Sequence, residues 1–295
     1  MKKEDLISTI NSFSEDTSVS FYLSNKGNKD YFFFECNCKN DIQKEIFNCL
    51  KDTILEIIKN NELTEFDPVG KNDGVIERLN ALDVTGYMKL NNELQDGNNF
   101  EIDIKKLGEI NFYIIQIKNS NNDIKIFRRY SKSKSLSKGF FMRIFNDNFS
   151  KIKEKIFQFD NMVDFIVIND KDIIIFNRYS FELITNYNDN YIINLRNALS
   201  IIECSDLIDN IEQFKEDCLN SKRIAKQFTK AMQQNSISLI LSNLNKVGEA
   251  IREAGLPIEF VNNKFKYENK EQLSILVQLL SDRYAKTLIG EKITS

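Results

Sequence analysis

The sequence predicts an α+β fold, with mixed or antiparallel sheets built from hairpins, helices packed on them, and a helical C-terminal third. Short runs rich in β-branched and aromatic residues are separated by Asn-, Asp- and Gly-containing turns, which is typical of hairpins. Between them lie stretches with apolar residues at three- and four-residue steps, which predict amphipathic helices. From Tyr191 onward the helical pattern predominates. In a chain of 295 residues we expect two domains, an α+β region at 1–108 and a second domain at 109–295.

The N-terminal region is predicted to contain a hairpin between two helices. Asn25, Lys26, Gly27 and Asn28 tolerate turn geometry and separate two strand-like runs. The predicted elements are a helix with Leu6, Ile7 and Ile10 on its buried side, strands Ser18–Leu23 and Tyr31–Cys36, a helix from about Asp41 to Asn60, a short helix near Ile76–Leu82, and strands Thr85–Leu90 and Phe100–Ile104. The buried stripe of the long helix is predicted to contain Ile42, Ile46, Cys49, Leu50, Ile54, Ile57 and Ile58.

The middle of the chain is predicted to be a set of strands around a buried hairpin. Two nearly continuous apolar runs, Met162–Ile168 and Asp172–Phe176, flank a turn at Asn169-Asp170-Lys171, and their composition is typical of central strands. Residues 150–159 fit either a strand or a helix, and we favour a strand because the following runs continue the β pattern. The other predicted elements are strands Ile110–Ile117 and Ile124–Tyr130 and a short helix over Ser180–Tyr187.

The C-terminal part is predicted to consist of helices and one small hairpin. Its elements are a helix with Leu207, Ile208, Ile211 and Phe214, a basic cluster of Lys222, Arg223, Lys226 and Lys230 at helical spacing, a helix with an apolar seam of Ile237, Leu241, Leu244, Val247 and Ile251, a hairpin of Ile258–Phe260 and Phe265–Tyr267, and a final helix with Leu273, Leu276, Val277 and Leu280. The seam ends at Gly255 and fits either a core or a dimer interface. Asn269 and Gln272 resemble a capping box for the final helix.

Composition excludes several classes of function. The chain has no histidine, which excludes Ser-His-Asp and Cys-His catalysis, HExxH zinc sites and imidazole general bases. Its five cysteines are an odd number without regular spacing, so we expect reduced thiols rather than disulfides or a zinc site. The first residues are charged instead of forming an apolar signal sequence, and no run approaches the about 18 apolar residues of a membrane span. We therefore expect a soluble, cytoplasmic protein.

The main functional signal is the stretch at residues 125–155, called the basic segment from here on. It contains ten Lys and Arg residues against two acidic ones, a net charge of +8 in a chain whose net charge is −3. Aromatic residues are interleaved at Phe127, Tyr130, Phe140, Phe141 and Phe145. The segment fits a solvated loop with incidental charge, but the aromatics favour a surface for a polyanion, with DNA as the expected partner. The predicted DNA contacts are Arg128, Arg129, Lys132, Lys134, Lys138, Arg143, Lys151 and Lys153.

Two other functions fit parts of the sequence. Glu101-Ile102-Asp103-Ile104-Lys105 alternates acidic and basic groups on one strand face, as in the D-x-K element of some metal-dependent nucleases. The same alternation is common on solvated strands. The basic segment also fits contact with acidic protein or lipid headgroups, which would make the chain a non-catalytic adaptor. We favour binding over bond cleavage and expect no catalytic residues, no metal and no cofactor.

The order of several motifs resembles a known family. Phe127-Arg128-Arg129, Val163-Asp164-Phe165-Ile166-Val167, Ile173–Asn177 and Phe181-Glu182 are followed by Leu256-Pro257-Ile258-Glu259-Phe260, Tyr284, Leu288 and Gly290. This order is similar to that of the KwaB-like family of the two-component Kiwa anti-phage systems, from Ile110 to the C-terminus. The resemblance implies a cytosolic protein that binds DNA without cutting it and restricts phage together with the membrane protein KwaA, which can recruit it to the inner membrane. It also implies a homodimer or higher homo-oligomer, and it supplies no catalytic residue and no DNA-contact motif. We expect the bound protein to obstruct replication or transcription of phage DNA.

Overall fold

The computed structural model describes residues 1–14, 17–27, 30–70, 74–97, 109–130, 142–145, 148–151, 159–281, 284–286 and 292–294, of which 142–145, 148–151, 284–286 and 292–294 are described by backbone alone. The chain forms two units. The first unit comprises Met1–Phe66 and Asn72–Tyr187, and the second unit comprises Asp67–Lys71 and Asn188–Ser295. The predicted α+β class with a helical C-terminal part is confirmed.

The first unit contains strands from both halves of the chain and four helices among its described residues. Its elements are α1 Lys3–Asn11, β1 Ser18–Lys26, β2 Tyr31–Cys36, α2 Asn40–Asn60, β3 Glu62–Glu65, β4 Val75–Asn80, a 3-10 turn at Ala81–Asp83, α3 Thr85–Gln95, β5 Phe112–Lys118, β6 Asp123–Arg129, β7 Met142–Phe145, β8 Asn148–Lys151, β9 Phe165–Ile168, β10 Asp172–Ile175 and α4 Arg178–Ile184. The predicted opening helix, the β1–β2 hairpin and the long helix α2 are confirmed.

Eight of these strands form one sheet in the order β2-β1-β5-β6-β9-β10-β4-β3. Neighbouring strands are antiparallel except for β3 and β4, which are parallel. Every residue of β9 and β10 is buried, which confirms that these two apolar runs are central strands. Strands from both sides of residue 108 share this sheet, so the predicted domain boundary at 108/109 falls inside one unit.

The two faces of the sheet carry different apolar layers because successive side chains of a strand point to opposite faces. On one face, Ile126 of β6 belongs to a core that includes Leu50 and other residues of α1 and α2. On the opposite face, Phe127 stacks on Phe165 with the ring centroids 4.3 Å apart. Phe165 in turn meets Phe181 of α4 edge-on at 5.4 Å, so this second layer joins α4 to the sheet.

The buried residues of helix α2 differ in part from the predicted stripe. Its buried residues are Phe47, Leu50, Ile54 and Ile58. These positions recur at three- and four-residue steps and face the sheet, whereas Ile42 and Cys49, predicted to be buried, are exposed because they lie off this line. The prediction omitted Phe47, and that residue completes the stripe.

Residues 75–95 have the reverse of the predicted secondary structure. The predicted helix near Ile76–Leu82 is strand β4 as far as Asn80 and then the 3-10 turn, because β4 pairs antiparallel with β10 and parallel with β3. The predicted strand at Thr85–Leu90 is helix α3, which buries Tyr87, Leu90 and Asn91 at three- and four-residue spacing. Pairing partners distant in sequence therefore override the local pattern. The predicted strand at Phe100–Ile104 lies outside the described residues.

Helix α3 approaches the end of α4 so closely that Gly86 is required. A Cβ atom added at Gly86 would lie 1.6 Å from the carbonyl oxygen of Thr185, the residue that follows α4. No side chain fits at that distance, and the obstructing atom belongs to the backbone. The glycine therefore permits the contact between α3 and α4 on this face of the sheet.

The second unit is mainly helical. Its described elements are α5 Tyr187–Cys204 (which begins at the last residue of the first unit), β11 Ile208–Asp209, α6 Ile211–Leu219, α7 Lys222–Gln233, α8 Ser236–Leu241, α9 Leu244–Ala254, β12 Phe260–Val261, β13 Lys264–Lys266, α10 Lys270–Leu280, β14 Tyr284–Lys286 and β15 Lys292–Thr294. The predicted hairpin is confirmed by antiparallel β12 and β13, and β11 joins it in parallel.

Three predictions for this unit are corrected. Leu207 and Ile208 precede the helix that begins at Ile211, because Ile208 pairs with Phe265 in the small sheet. The predicted single seam is divided between α8 and α9, with Asn243 between them outside helical geometry. Asn269 caps α10 by accepting the Glu271 N–H. In a capping box the Gln272 side chain would accept the backbone N–H of Asn269. It accepts the backbone N–H of Glu268 instead.

Candidate nucleic-acid interface

Arg128, predicted to contact DNA, is paired with carboxylates of its own unit. Its Nε and Nη2 each donate to one oxygen of Asp160 at 3.0 Å, and its Nη1 donates to Asp164 Oδ1 at 3.0 Å. Burial disfavours the charged guanidinium, but the two carboxylates outweigh burial and raise the pKa of Arg128. Its side chain is 13% exposed. Arg128 therefore positions the chain that precedes β9, and its predicted contact with DNA stays a prediction.

The register of the sheet explains why Arg128 faces Asp160. Arg128 lies opposite Tyr113 of β5, and both side chains are on the face that carries α1 and α2. The Tyr113 hydroxyl donates to the backbone carbonyl of Asp160 at 3.3 Å, and it lies 3.4 Å from Asp160 Oδ1. Burial and the nearby Asp160 carboxylate raise the pKa of Tyr113, so the phenol stays protonated at neutral pH. Two adjacent strands thus fix Asp160 at the end of β6.

Lys125, at the start of the basic segment, is also neutralised internally. Its side chain is 3% exposed and its Nζ lies 2.5 Å from Asp170 Oδ1. The Tyr87 hydroxyl of α3 donates to the same oxygen, also at 2.5 Å. Burial alone would raise the pKa of Asp170, but hydrogen bonds from Lys125 and Tyr87 lower it below its ordinary value. Lys125 therefore ties the sheet to the β9–β10 turn and to α3 instead of presenting charge to solvent.

Arg129 has a different environment from its neighbour, because adjacent residues of a strand point to opposite faces. Its backbone N–H donates to Asp164 Oδ2 at 2.6 Å, so Asp164 holds the end of β6 through both arginines. The guanidinium carbon of Arg129 lies 5.1 Å from the ring centroid of Tyr179 on α4. Among the described residues the guanidinium has no carboxylate within ion-pair distance, so its charge is not neutralised by them.

Tyr179 projects from the same end of the sheet and is 65% exposed. Its neighbour Arg178 does not share this exposure, because Arg178 pairs with the buried Glu77 of β4, with Nε 2.9 Å from Glu77 Oε2. Arg178 also lies over the Phe66 ring at 4.9 Å. The pair Arg129 and Tyr179 is therefore the part of this region that combines free positive charge with exposed aromatic surface among the described residues.

Contact with DNA stays a prediction for every one of the predicted contact residues, and most of those beyond Arg129 lie outside the described part of the chain. Lys132, Lys134, Lys138 and Lys153 lie outside the described residues, and so does the sequence at 101–105 that was predicted to form a nuclease-like strand. Arg143 lies on β7 opposite Ser150 of β8, while Lys151 of β8 lies opposite Met142. The predicted strand at 150–159 agrees with β8 as far as Lys151, and its remainder, up to residue 158, is outside the described part of the chain.

The sequence pattern did not identify the residues that determine which of Arg128 and Arg129 is paired with carboxylates. Asp160 and Asp164 were not predicted to be functional, and Tyr179 was not separated from the other aromatic residues. A signal for Asp164 was present, because an acidic residue inside the apolar run Met162–Ile168 needs a cationic or hydrogen-bonding partner when buried. No comparable signal marks Tyr179, because its exposure depends on how α4 lies on the sheet.

The second basic cluster, on α7, is partly neutralised. Lys230 pairs with Asp67 at 2.6 Å, and Lys226 lies over the Tyr191 ring at 4.9 Å. Lys222 and Arg223 are exposed in the first turn of the helix. This cluster therefore presents less free charge than its four basic residues suggest.

Two features of the described residues bear on other functions. They contain no group of three or more His, Cys, Asp or Glu side chains arranged to hold a metal ion. None of their helices combines the length and the apolar character needed to cross a bilayer.

Comparison with known proteins gives one match. A family model described as Kiwa protein KwaB-like matches residues 107–290, which is more than half of the chain. The matched range includes β5, β6, Asp160, Asp164 and α4, and so it contains the whole candidate interface. No curated protein and no solved structure matches the chain.

Proposed function

This chain belongs to the KwaB-like family of Kiwa proteins, which implies a role in anti-phage defence, and we propose that it fulfils this role by binding DNA largely without sequence preference. The proposed contacts begin at Arg129 and continue along the basic segment through Lys132, Lys134 and Lys138, with Arg143, Lys151 and Lys153 beyond them. Arg128 is left out of this set because its charge is already paired.

The observation that supports the proposal is Arg129 at the end of a firmly anchored strand, where its guanidinium has no carboxylate partner among the described residues. From Arg129 to residue 155 the chain has eight basic and two acidic residues, a net charge of +6 in a protein of net charge −3. Each basic side chain that neutralises a DNA phosphate releases condensed counterions, and this release drives binding. The acidic remainder of the molecule disfavours DNA elsewhere on its surface.

Contacts of this kind carry little sequence information. Phosphate contacts position a protein on DNA, whereas base identity is read from the edges of the bases in the grooves. Arginine suits two-point contacts with phosphate oxygens, while lysine acts as a mobile point charge. We therefore propose binding that is strongly salt-dependent and similar for different sequences.

We further propose that bound protein obstructs replication or transcription of phage DNA and that the chain is not an enzyme. In this proposal it acts with the membrane protein KwaA, which recruits it to the inner membrane, and it self-associates as a homodimer or higher homo-oligomer. Self-association would double the number of phosphates contacted by one particle, and the observed affinity would rise accordingly.

The test is a DNA-binding titration of the full chain over a salt series, with and without magnesium. R129Q should weaken binding and reduce the slope of log affinity against log salt by about one, as expected for the loss of one phosphate contact. K118Q is the matched control, because Lys118 is an exposed cation at the opposite end of the β5–β6 pair, about 20 Å away at 3.3 Å per residue. Equal effects of R129Q and K118Q would contradict the proposed site.

The same experiment separates the alternatives. Magnesium-dependent cleavage of plasmid would identify a nuclease and direct attention to the acidic and basic residues at 101–105. Competition between DNA and vesicles containing anionic lipid distinguishes a nucleic-acid surface from an adaptor for membranes. Displacement of DNA by vesicles at equal charge concentration would favour the adaptor.

A further inference from the structure

Tyr179 is the most exposed large hydrophobic side chain among the described residues, at 65%. It lies between residues that are held firmly. Arg178 is paired with Glu77, and Phe181 is fully buried against the sheet. The Ser180 N–H donates to Asn177 Oδ1 at 3.0 Å and fixes the start of α4. The backbone that carries Tyr179 is therefore rigid while its ring projects into solvent.

Arg129 approaches the Tyr179 ring from one side, with its guanidinium carbon 5.1 Å from the ring centroid. The backbone of Arg129 is itself fixed by Asp164. Stacking of a guanidinium on an aromatic ring is attractive and orients both groups before any ligand arrives. The exposed fraction of Tyr179 is too large for both ring faces to be covered, so one face remains open.

We propose that the open face of Tyr179 stacks on an unpaired base while Arg129 contacts an adjacent phosphate, so that this site recognises single-stranded DNA. The inference rests on the DNA binding proposed above and adds the form of DNA that the site prefers. Any base can stack on the ring because every base has a π-face, so the site needs no particular sequence. The pairing of an aromatic ring with a cation matches the alternation of bases and phosphates along a strand.

The chemistry favours a single strand over a duplex. Bases within a duplex are already stacked on their neighbours, and exposing one requires unpairing and unstacking. Away from the ends of a duplex, a ring that projects from a rigid helix reaches a base face only where a base is unpaired. Tyr179 therefore contributes to binding of single strands, whereas Arg129 contributes to both forms because both carry phosphates.

The test compares Y179A, Y179F and the unchanged full-length chain. Fluorescence anisotropy measures binding to a fluorescein-labelled oligothymidine of about 20 nucleotides, long enough to span a typical single-strand site, and to a blunt duplex of equal length. Y179A should weaken binding to the single strand by roughly tenfold, the effect of losing one stacked base, and change duplex binding less than about twofold. Y179F should bind the single strand like the unchanged chain, because it keeps the ring. Thermal melting confirms that each variant is folded, which is expected for an exposed position.

Each result has a distinct meaning. If the unchanged chain binds neither DNA, the proposed DNA binding fails and this inference fails with it. If the chain binds DNA and Y179A leaves single-strand affinity unchanged, or weakens both forms equally, the stacking site is overturned while DNA binding stands. Quenching of a 2-aminopurine base in the oligonucleotide by the unchanged chain and by Y179F, but not by Y179A, would support stacking directly.

Discussion

Arg128 and Asp160 form a two-point ion pair, in which Nε and Nη2 of the arginine each donate to a separate carboxylate oxygen at 3.0 Å. This geometry matches the planar fork of the guanidinium to the carboxylate and restricts both side chains. Asp164 occupies the remaining Nη1 and is only 1% exposed. Arg128 thus compensates a buried negative charge, and the two arginines at the end of β6 have separate roles.

Substitution of Arg128 should primarily change stability. R128Q leaves Asp164 buried without its cation, and removal of one partner from a buried pair costs about 3–5 kcal/mol. R129Q should cost about 0.5–1 kcal/mol, because among the described residues its side chain loses a cation–π contact near the surface and no ion pair. Urea unfolding followed by circular dichroism measures both free energies of unfolding. Equal stability of the two variants would show that the Asp160–Asp164 arrangement is not the anchor described above.

The Lys125–Asp170 pair should show strong coupling in a double-mutant cycle. D170N leaves the Lys125 charge buried, with Asp123 at 3.9 Å as its further carboxylate partner in the described part of the chain, and should cost about 3–5 kcal/mol. K125M should cost less, because Asp170 is 35% exposed and retains its bond from Tyr87. The double variant K125M/D170N should be more stable than D170N alone, with a coupling free energy of about 0.5–3 kcal/mol. Additive costs would argue against a direct interaction.

Stability should fall in acid partly because of Asp170. Its pKa is lowered in the folded state from an ordinary value of 3.8, since bonds from Lys125 and Tyr87 outweigh burial. A group with a depressed folded pKa stabilises the folded state above its unfolded pKa, and this stabilisation is lost as the pH falls through the folded value. The difference in unfolding free energy between the unchanged chain and D170N should therefore be constant from pH 7 to about pH 5 and shrink below about pH 4. A difference that grows in acid would reverse the assigned sign.

Gly86→Ala should destabilise the first unit. The added Cβ would lie 1.6 Å from the Thr185 carbonyl oxygen, so α3 or α4 must move. Overpacking of this kind costs about 1–3 kcal/mol or more. G248A is the matched control, because its Cβ would approach only the Phe260 ring, at 3.1 Å, and a side chain can shift. Thermal melting should show a clearly larger loss for G86A than for G248A, and the opposite order would contradict the close contact of α3 with Thr185.

The hairpin of β9 and β10 could be predicted because its residue composition, its turn residues and its central place in the sheet all favour the same structure. Both strands are continuous apolar runs, as central strands require, and the turn uses Asn169 and Asp170 at a φ of 53°. These residue types adopt positive φ more readily than most others. Sequence pattern, turn chemistry and burial thus indicate the same structure, and the prediction was correct.

The errors at residues 75–95 arose because the local spacing of apolar residues indicates one secondary structure and the packing of the folded chain requires another. Ile76, Leu79 and Leu82 are spaced by three residues, which indicates a helix, yet Ile76 and Leu79 lie on β4. This segment is a strand because it pairs with β10, and that pairing cannot be read from the local sequence. The same limit applies to the candidate interface. Charge counting found the basic segment, but the distinction between Arg128 and Arg129 depends on where Asp160 and Asp164 are placed.

The pairing of β4 with β10 also has a consequence for the order of folding. Asn80 lies opposite Asp172, 92 positions later in the chain. Strands β3 and β4 therefore cannot join the sheet until the β9–β10 hairpin has formed. At translation rates of about 5–20 residues per second, this interval corresponds to roughly 5–20 seconds on the ribosome. During that time β4 lacks its partner β10, so its backbone N–H and C=O groups on that side stay unpaired and its apolar residues lack the buried place they have in the finished sheet.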